Sequence, residues 1–205
     1  DTVQLYIASH FVPEKEPVLA FRKRARDGDG YTESIDIYIP PLEDPKYRYD
    51  GKVVLVVSES TVSAAETFTI GMKQLPQTTI LGRNTAGALS DILSRSLPNG
   101  WGVSLSNEEY TAPDGTLYEK DGVPPDVLPD AELLPLSERQ EGIDSWLELA
   151  LETAISSSDT TTTPEPTEPT QAPTEDSSSD RWGASSAINC TVYLLFSIVM
   201  ITNHW

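Results

Sequence analysis

The sequence has very few of the residues that form disulfides or bind transition metals. Its 205 residues include one cysteine, Cys190, and two histidines, His10 and His204. A single cysteine excludes an intramolecular disulfide framework, and the two histidines add too little for a Cys/His metal set. No metal and no other cofactor is therefore expected.

Basic residues are scarce as well. The chain has 14 Lys and Arg against 32 Asp and Glu, which gives a formal net charge of −18. A protein that binds nucleic acid needs positive charge to neutralise phosphates. The composition therefore excludes nucleic acid as a partner, and no pattern in the sequence sets an oligomeric state.

A long hydrophobic run is also missing. The longest apolar stretch, residues 187–202, is shorter than the about 20 residues of a membrane-spanning helix and has no basic flank. Before it, residues 156–180 contain almost only Ser, Thr, Pro, Glu and Asp, which predicts a disordered stalk. Small residues around Ser178, a polar spacer and an apolar end match a GPI-attachment signal, with a single-pass anchor as the alternative. Residues 181–205 are thus predicted to anchor an extracellular domain to the membrane.

The most informative stretch is a buried strand followed by a helix that begins at a serine. Residues 53–57 are all apolar, which indicates a strand buried on both faces. Ser63 then opens a helical pattern, at a position where backbone N–H groups are unpaired and negative charge is favoured. Such a serine suits a nucleophile whose reaction develops an oxyanion. Ser63 and Glu66 also fit the S-x-x-E capping box, so a purely structural cap is the alternative interpretation.

The remaining patterns place this stretch inside an α/β domain. Residues 78–81 read as the next strand, so strand, helix and strand form a βαβ unit with a parallel pair. The small-residue loop 82–90 follows that strand, at the sheet edge where ligands bind. The other predicted elements are a helix at 2–12, an antiparallel pair at 17–24 and 31–39, a hairpin at 92–105, a second turn at 113–115 between residues 110–112 and 116–118, and a closing helix at 144–156 capped by Asp144. His10 lies on the first of these helices, where a packing or surface role competes with that of a catalytic base.

Four segments together resemble the C-terminal-processing (tail-specific) serine peptidase family. They are SESTVSAAETF, TTILGRNTAGALS, LPNGWGVSLS and YEKDGVPPDV, in the family's order and spacing, and the resemblance covers residues 1–155. It implies a crotonase-like (ClpP/crotonase-type) α/β core of parallel strand–helix units with added hairpins. It also implies a serine-type peptidase acting on polypeptides, with Ser63 as the nucleophile and the Ala64 N–H as an oxyanion donor. Gly87 and Ala88, in the loop after the second strand, are then expected to contact the substrate.

The resemblance also indicates which branch of the family is concerned. The bacterial branch pairs its serine with a lysine in a Gly-Lys-Gly segment, and Ala88 stands at that lysine position. The tricorn-core-like branch uses a histidine base, oriented by a glutamate that matches Glu119, three residues before Gly122. That histidine precedes a glycine pair just upstream of the position of Asp1. We therefore expect the chain to be a C-terminal fragment, nearly inert by itself.

A non-catalytic function is the alternative. The repeats of the interphotoreceptor retinoid-binding protein resemble the same half of the fold and share its Ser-Ala-Ala-Glu and Thr-Ala-Gly segments, yet they bind apolar ligands. The Ser63 motif therefore does not distinguish a peptidase from a retinoid-like binding module.

Overall fold

The computed structural model describes residues 2–13 and 15–156. The predicted anchor, the candidate attachment residue Ser178 and all of the predicted stalk beyond Ser156 lie outside these residues. Within the described part of the chain, no helix has the length and hydropathy needed to cross a membrane.

The described chain contains four α-helices and eight strands. In chain order they are α1 (Thr2–Ser9), β1 (Val18–Asp27), β2 (Gly30–Tyr31), β3 (Ile35–Ile39), β4 (Val53–Val57), α2 (Ala64–Lys73), β5 (Thr78–Gly82), β6 (Ile92–Ser96), β7 (Gly102–Ser106), β8 (Glu108–Thr111), α3 (Leu136–Gln140) and α4 (Ser145–Ser156). The predicted α/β domain with a strand–helix–strand unit and added hairpins is confirmed.

The parallel pair β4–β5 explains the unbroken apolar run. Its register joins Val53 to Thr78 and Val57 to Gly82, with α2 as the crossover. Val53, Leu55 and Val57 belong to the main core, whereas Val54 packs on the other face with Ala150 and Ala154 of α4. Both faces of the strand are thus covered, which is why the sequence shows no alternation there.

Helix α2 is more deeply buried than the sequence indicates. Its apolar spacing predicts one buried face, yet Glu66, Thr67 and Thr69 are buried too. Helix α1 and strand β1 both contact α2. The polar side chains accordingly bond within the protein, for example Thr69 Oγ1 to the Ala65 carbonyl at 2.7 Å.

The antiparallel sheet contains one strand pairing that the sequence does not predict. Strands β1 and β3 pair as expected, with Phe21 opposite Ile37. The predicted turn at 113–115 forms: the Gly115 N–H donates to the Ala112 carbonyl and the Ala112 N–H to the Thr116 carbonyl, both at 2.9 Å, and a bridge joins Thr111 to Leu117. Strand β8 also pairs with β1. The Tyr110 ring is buried with its centroid 5.7 Å from that of Phe21. This long-range pairing adds to the local turn, and the turn sequence alone does not predict it.

The closing helix is capped as predicted, since the Leu147 N–H donates to Asp144 Oδ1 at 3.0 Å. The apolar residues of this helix are not all buried: Trp146, Ala150 and Ala154 lie in the interior, whereas Leu151 and Ile155 are exposed.

Candidate active site

Ser63 sits in a strained turn between β4 and α2. Its backbone φ is 57° and ψ is −121°, a conformation that non-glycine residues rarely adopt. Such a conformation costs on the order of 1–3 kcal/mol and is concentrated at functional sites. The Ser63 side chain is exposed. A sharp strand-to-helix turn that presents a serine hydroxyl is also how nucleophile elbows are built.

The capping interpretation holds for the backbone but not for the hydroxyl. Both partners of the capping box are in position, and the Ser63 N–H donates to Glu66 Oε2 at 3.1 Å. The Glu66 N–H, however, donates to the Ser63 carbonyl at 2.8 Å, and the Ser63 hydroxyl makes no cap hydrogen bond. The Ser63 Oγ is therefore left available for chemistry.

Glu66 joins the serine turn to the loop of residues 85–90. Its side chain is completely buried, and its carboxylate accepts four hydrogen bonds. Besides the Ser63 N–H, the donors are Thr85 Oγ1 at 2.6 Å, the Gly87 N–H at 2.7 Å and the Ala88 N–H at 2.9 Å. A buried carboxylate is stable only when its oxygens are satisfied in this way. Glu66 thus fixes the backbone of Ser63 relative to the loop that contains Thr85, Gly87 and Ala88.

A second carboxylate continues the same pattern. Glu119 Oε2 accepts the N–H groups of Leu89 at 3.0 Å and Ser90 at 3.1 Å. Four consecutive backbone amides, those of residues 87–90, therefore bind to two carboxylates. Just before Glu119, partial burial is the main cause that raises the pKa of Tyr118, which keeps that phenol neutral.

Two glycines allow the loop to lie against the segment that follows Glu119. Gly87 and Gly122 both have positive φ, 72° and 75°. A Cβ on Gly87 would lie 2.5 Å from the Lys120 carbonyl carbon, and one on Gly122 would overlap the Thr85 carbonyl. Only glycine fits both the conformation and the space.

The candidate residues from the sequence come together around Ser63. Ala64 begins α2 and is exposed, and among the described residues its N–H has no acceptor, as an oxyanion donor requires. Gly87 is buried and Ala88 exposed. Both of their N–H groups are bound to Glu66, and their carbonyls accept from Lys120 and Ser63. The backbone groups of Gly87 and Ala88 are therefore already bonded in this conformation. Only the exposed side of Ala88 is left for contact with a substrate.

His10 lies at the other end of α2. Gln4 of α1 donates to Thr67 Oγ1 at 2.8 Å, one turn into α2. Gln77, beyond the end of α2, donates to the carbonyl of Phe11, the residue next to His10. The ten residues of α2 rise about 15 Å, so this length separates His10 from Ser63. The His10 ring packs on Tyr6 instead, with a centroid distance of 5.1 Å. His10 is therefore not the base for Ser63.

Two residues of the site were missed in the sequence. Thr85 is buried, donates to Glu66 and accepts the Val123 N–H at 2.7 Å, so it links the two loops. Its place in the Thr-Ala-Gly segment was the available signal. Lys120 has a φ of 77°, and apart from Ser63 it is the one non-glycine residue of the described chain with positive φ. Nothing local in the sequence indicates that conformation. Within residues 2–13 and 15–156, no group of three or more His, Cys, Asp or Glu could hold a metal ion.

Comparison with known proteins places this geometry in a family. The model of peptidase family S41 matches residues 2–128. A candidate peptidase from Parabacteroides merdae has a similar structure, with 25% identity, a TM-score of 0.63 and coverage of 74% of this chain and 47% of that one. Mature CPAF in complex with lactacystin is similar at 16% identity with a TM-score of 0.56, and a candidate S41 protease from Bacteroides fragilis at 16% with 0.50; each match covers 74% of this chain and 40% of the other. No curated protein matches the chain.

These matches confirm the family and the fold that the sequence motifs indicate. The chain spans less than half the length of the three solved structures named above.

Proposed function

The chain belongs to peptidase family S41, and we propose that it carries the nucleophile of a serine-type peptidase that cleaves polypeptides through an acyl-enzyme. The observation that supports this most is the Ser63 turn. It combines a strained backbone, an exposed hydroxyl without a cap bond and a neighbouring Ala64 N–H without an acceptor among the described residues.

The proposed reaction uses Ser63 in two steps. Ser63 Oγ attacks the peptide carbonyl carbon and gives its proton to a base, while the Ala64 N–H donates to the developing oxyanion. The C–N bond then breaks, and the amine leaves with that proton. Water attacks the resulting ester, and Ser63 recovers its proton as the acid product departs.

The base is proposed to be a histidine outside the described residues, as the family resemblance implies. Glu66 does not suit the role, because four donors already occupy its two oxygens. Glu119 uses Oε2 for two loop amides, which leaves Oε1 to orient that histidine. Base and oxyanion donors each contribute about 10²- to 10⁴-fold, so the chain alone is expected to be nearly inactive.

Labelling with a fluorophosphonate probe tests the proposal. The protein is expressed together with any residues that precede Asp1 in its gene, as wild type, Ser63→Ala and Ser60→Ala. Ser60 is an exposed serine of the same connection and serves as the matched control. Wild type and Ser60→Ala should label, and Ser63→Ala should not. Equal labelling of all three would reject the nucleophile and favour the apolar-ligand binding module.

We further propose that residues 156–205 tether this domain to the outer face of the plasma membrane. The support is compositional: a Ser/Thr/Pro stalk, small residues around Ser178 and an apolar end. Treating expressing cells with a phosphatidylinositol-specific phospholipase should release the protein if a GPI anchor holds it. Protein that stays on treated cells would indicate a spanning helix instead.

A further inference from the structure

The hairpin of β6 and β7 has one apolar and one serine-rich face. The strand register pairs Leu93 with Leu105 and Arg95 with Val103, which places these side chains on one face. Leu97 and Trp101 extend the same register, with the Leu97 N–H 2.6 Å from the Trp101 carbonyl oxygen. The other face carries Ile92, Ser94, Ser96, Gly102, Ser104 and Ser106. The face of Leu93, Arg95, Leu97, Trp101, Val103 and Leu105 is called the apolar hairpin face below.

Four of the six residues of this face are exposed to solvent in the described part of the protein, whereas Leu93 and Val103 are half-buried. Trp101 is 73% exposed, Leu105 54% and Leu97 43%. Exposed apolar residues that adjoin one another mark binding surfaces, whereas isolated ones do not. Strands β6 and β7 pair only with each other among the described strands, so each retains an open outer edge. An open edge beside an apolar face accepts an extended peptide as a further strand.

The base of the hairpin is fixed to the serine site. The Ala88 carbonyl accepts the Ser63 N–H at 3.1 Å, and Ser90 Oγ accepts the Glu108 N–H at 3.1 Å. Ile92 follows Ala88 by only four positions. At about 3.3 Å per residue, the hairpin therefore starts within roughly 13 Å of the serine turn and extends about 17 Å further. One extended peptide is long enough to reach both.

Charge distinguishes between possible occupants. Arg95 is the cation of the apolar hairpin face. Its NH1 donates to the Ser94 carbonyl at 3.4 Å, and it forms no ion pair within the described part of the chain. A second copy of the chain would bring another formal charge of −18, and anionic lipid would be repelled by the same charge. An unpaired guanidinium within an apolar face instead favours a single carboxylate on an otherwise apolar partner.

We propose that the apolar hairpin face is the docking surface for the polypeptide substrate of the Ser63 site. The substrate adds as an extended strand to the open edge of β6, with apolar side chains beside Leu93 and Leu97 and a carboxylate on Arg95. This inference rests on the proposed peptidase function, and it adds a substrate class: extended segments that combine apolar side chains with an acidic group.

Binding of two labelled peptides tests this inference without catalysis. The full chain carrying Ser63→Ala is titrated with a fluorescein-labelled decapeptide in which leucine alternates with serine and one central position is glutamate. A second decapeptide has glutamine at that position. Leu97→Ser should weaken binding of both peptides about tenfold, since burial of a leucine is lost. Ile92→Ser, an equally apolar change on the opposite face, should leave binding unchanged.

Arg95→Gln provides a second variant that leaves the apolar contacts intact. It should weaken binding of the glutamate peptide about threefold and leave the glutamine peptide unaffected. Equal losses for Leu97→Ser and Ile92→Ser would overturn the proposal, as would an absence of binding. Self-association that Leu97→Ser abolishes would also overturn it, by showing a second copy on this face. The binding assay uses the Ser63→Ala protein and does not depend on catalysis. Failed labelling of wild-type Ser63 would reject the peptidase function, whereas the peptide-binding results would still decide the docking surface.

Discussion

The serine site and the β6–β7 hairpin follow each other in the chain, yet they are stabilised in opposite ways. Around Ser63, four consecutive loop amides bind to two carboxylates, and Glu66 is fully buried. The hairpin is held by the hydrogen bonds between β6 and β7 and by the contacts where it leaves the domain. Its side chains are largely open, and Trp101 is 73% exposed. The first region fixes backbone atoms where the proposed chemistry occurs, whereas the second leaves side chains open to a partner. Mutations should therefore affect the two regions very differently.

Within the serine site, the largest effect should come from Glu66→Gln. The substitution keeps the volume but turns an NH₂ group toward donors that need an acceptor, so about two buried donors lose their partners. At about 1–3 kcal/mol for each unsatisfied group, we expect a loss of about 4 kcal/mol in the free energy of unfolding, measured by urea denaturation. Glu59→Gln, an exposed carboxylate in the same connection, should change it by less than about 0.5 kcal/mol. Similar losses for the two variants would mean that the carboxylate network does not stabilise the loop.

Gly122→Ala should break the close approach of the two loops. The new Cβ would overlap the Thr85 carbonyl in a backbone with φ of 75°. We expect a loss of about 3 kcal/mol, of which the positive φ accounts for about 1–2 kcal/mol. Gly115→Ala is the matched control, because Gly115 has φ of 89° but no atom within 4 Å of the added Cβ. Equal losses would show that backbone strain alone is responsible.

The sequence predicted the serine site better than its surroundings. The βαβ unit around Ser63 follows from local periodicity, and the cap at Asp144 from residue type. The pairing of β8 with β1 did not follow, because it depends on burial of Tyr110 against Phe21, 89 positions away in the chain. The turn signal at residues 113–115 predicts the local turn, which forms, but it carries no information on which strand β8 pairs with.

The role of Glu66 was only partly predictable for the same reason. The S-x-x-E spacing gives its bond to the Ser63 amide, which is local. Its bonds to Thr85, Gly87 and Ala88 cross between separate segments. The exposure of the apolar hairpin face is likewise a property of the whole fold, since alternation in a strand shows two faces but not which one is covered.

Glu119 should give a smaller effect that separates its two proposed roles. Glu119→Gln retains a carbonyl oxygen for the Leu89 and Ser90 amides, so the loss in unfolding free energy should be about 1 kcal/mol. If Glu119 orients a histidine through its charge, the rate at which a fluorophosphonate labels Ser63 in the intact protein should fall strongly, although the unfolding free energy changes little. Glu119→Ala removes both functions and should also speed hydrogen exchange at Leu89 and Ser90. Unchanged labelling in Glu119→Gln would leave loop anchoring as its one role.

The smallest effect should come from Trp101→Ala, and it tests the contrast between the regions most directly. Trp101 is 73% exposed and Trp146 2% exposed, so identical truncations sample an open and a buried tryptophan of one domain. Trp146→Ala should cost about 3–5 kcal/mol through the cavity it leaves, whereas Trp101→Ala should change the unfolding free energy by less than about 0.5 kcal/mol. A substantial loss in Trp101→Ala would show that the hairpin depends on its apolar side chains for folding. With no loss, the apolar hairpin face contributes little to the stability of this domain, and that is the condition for assigning its conspicuous side chains to binding.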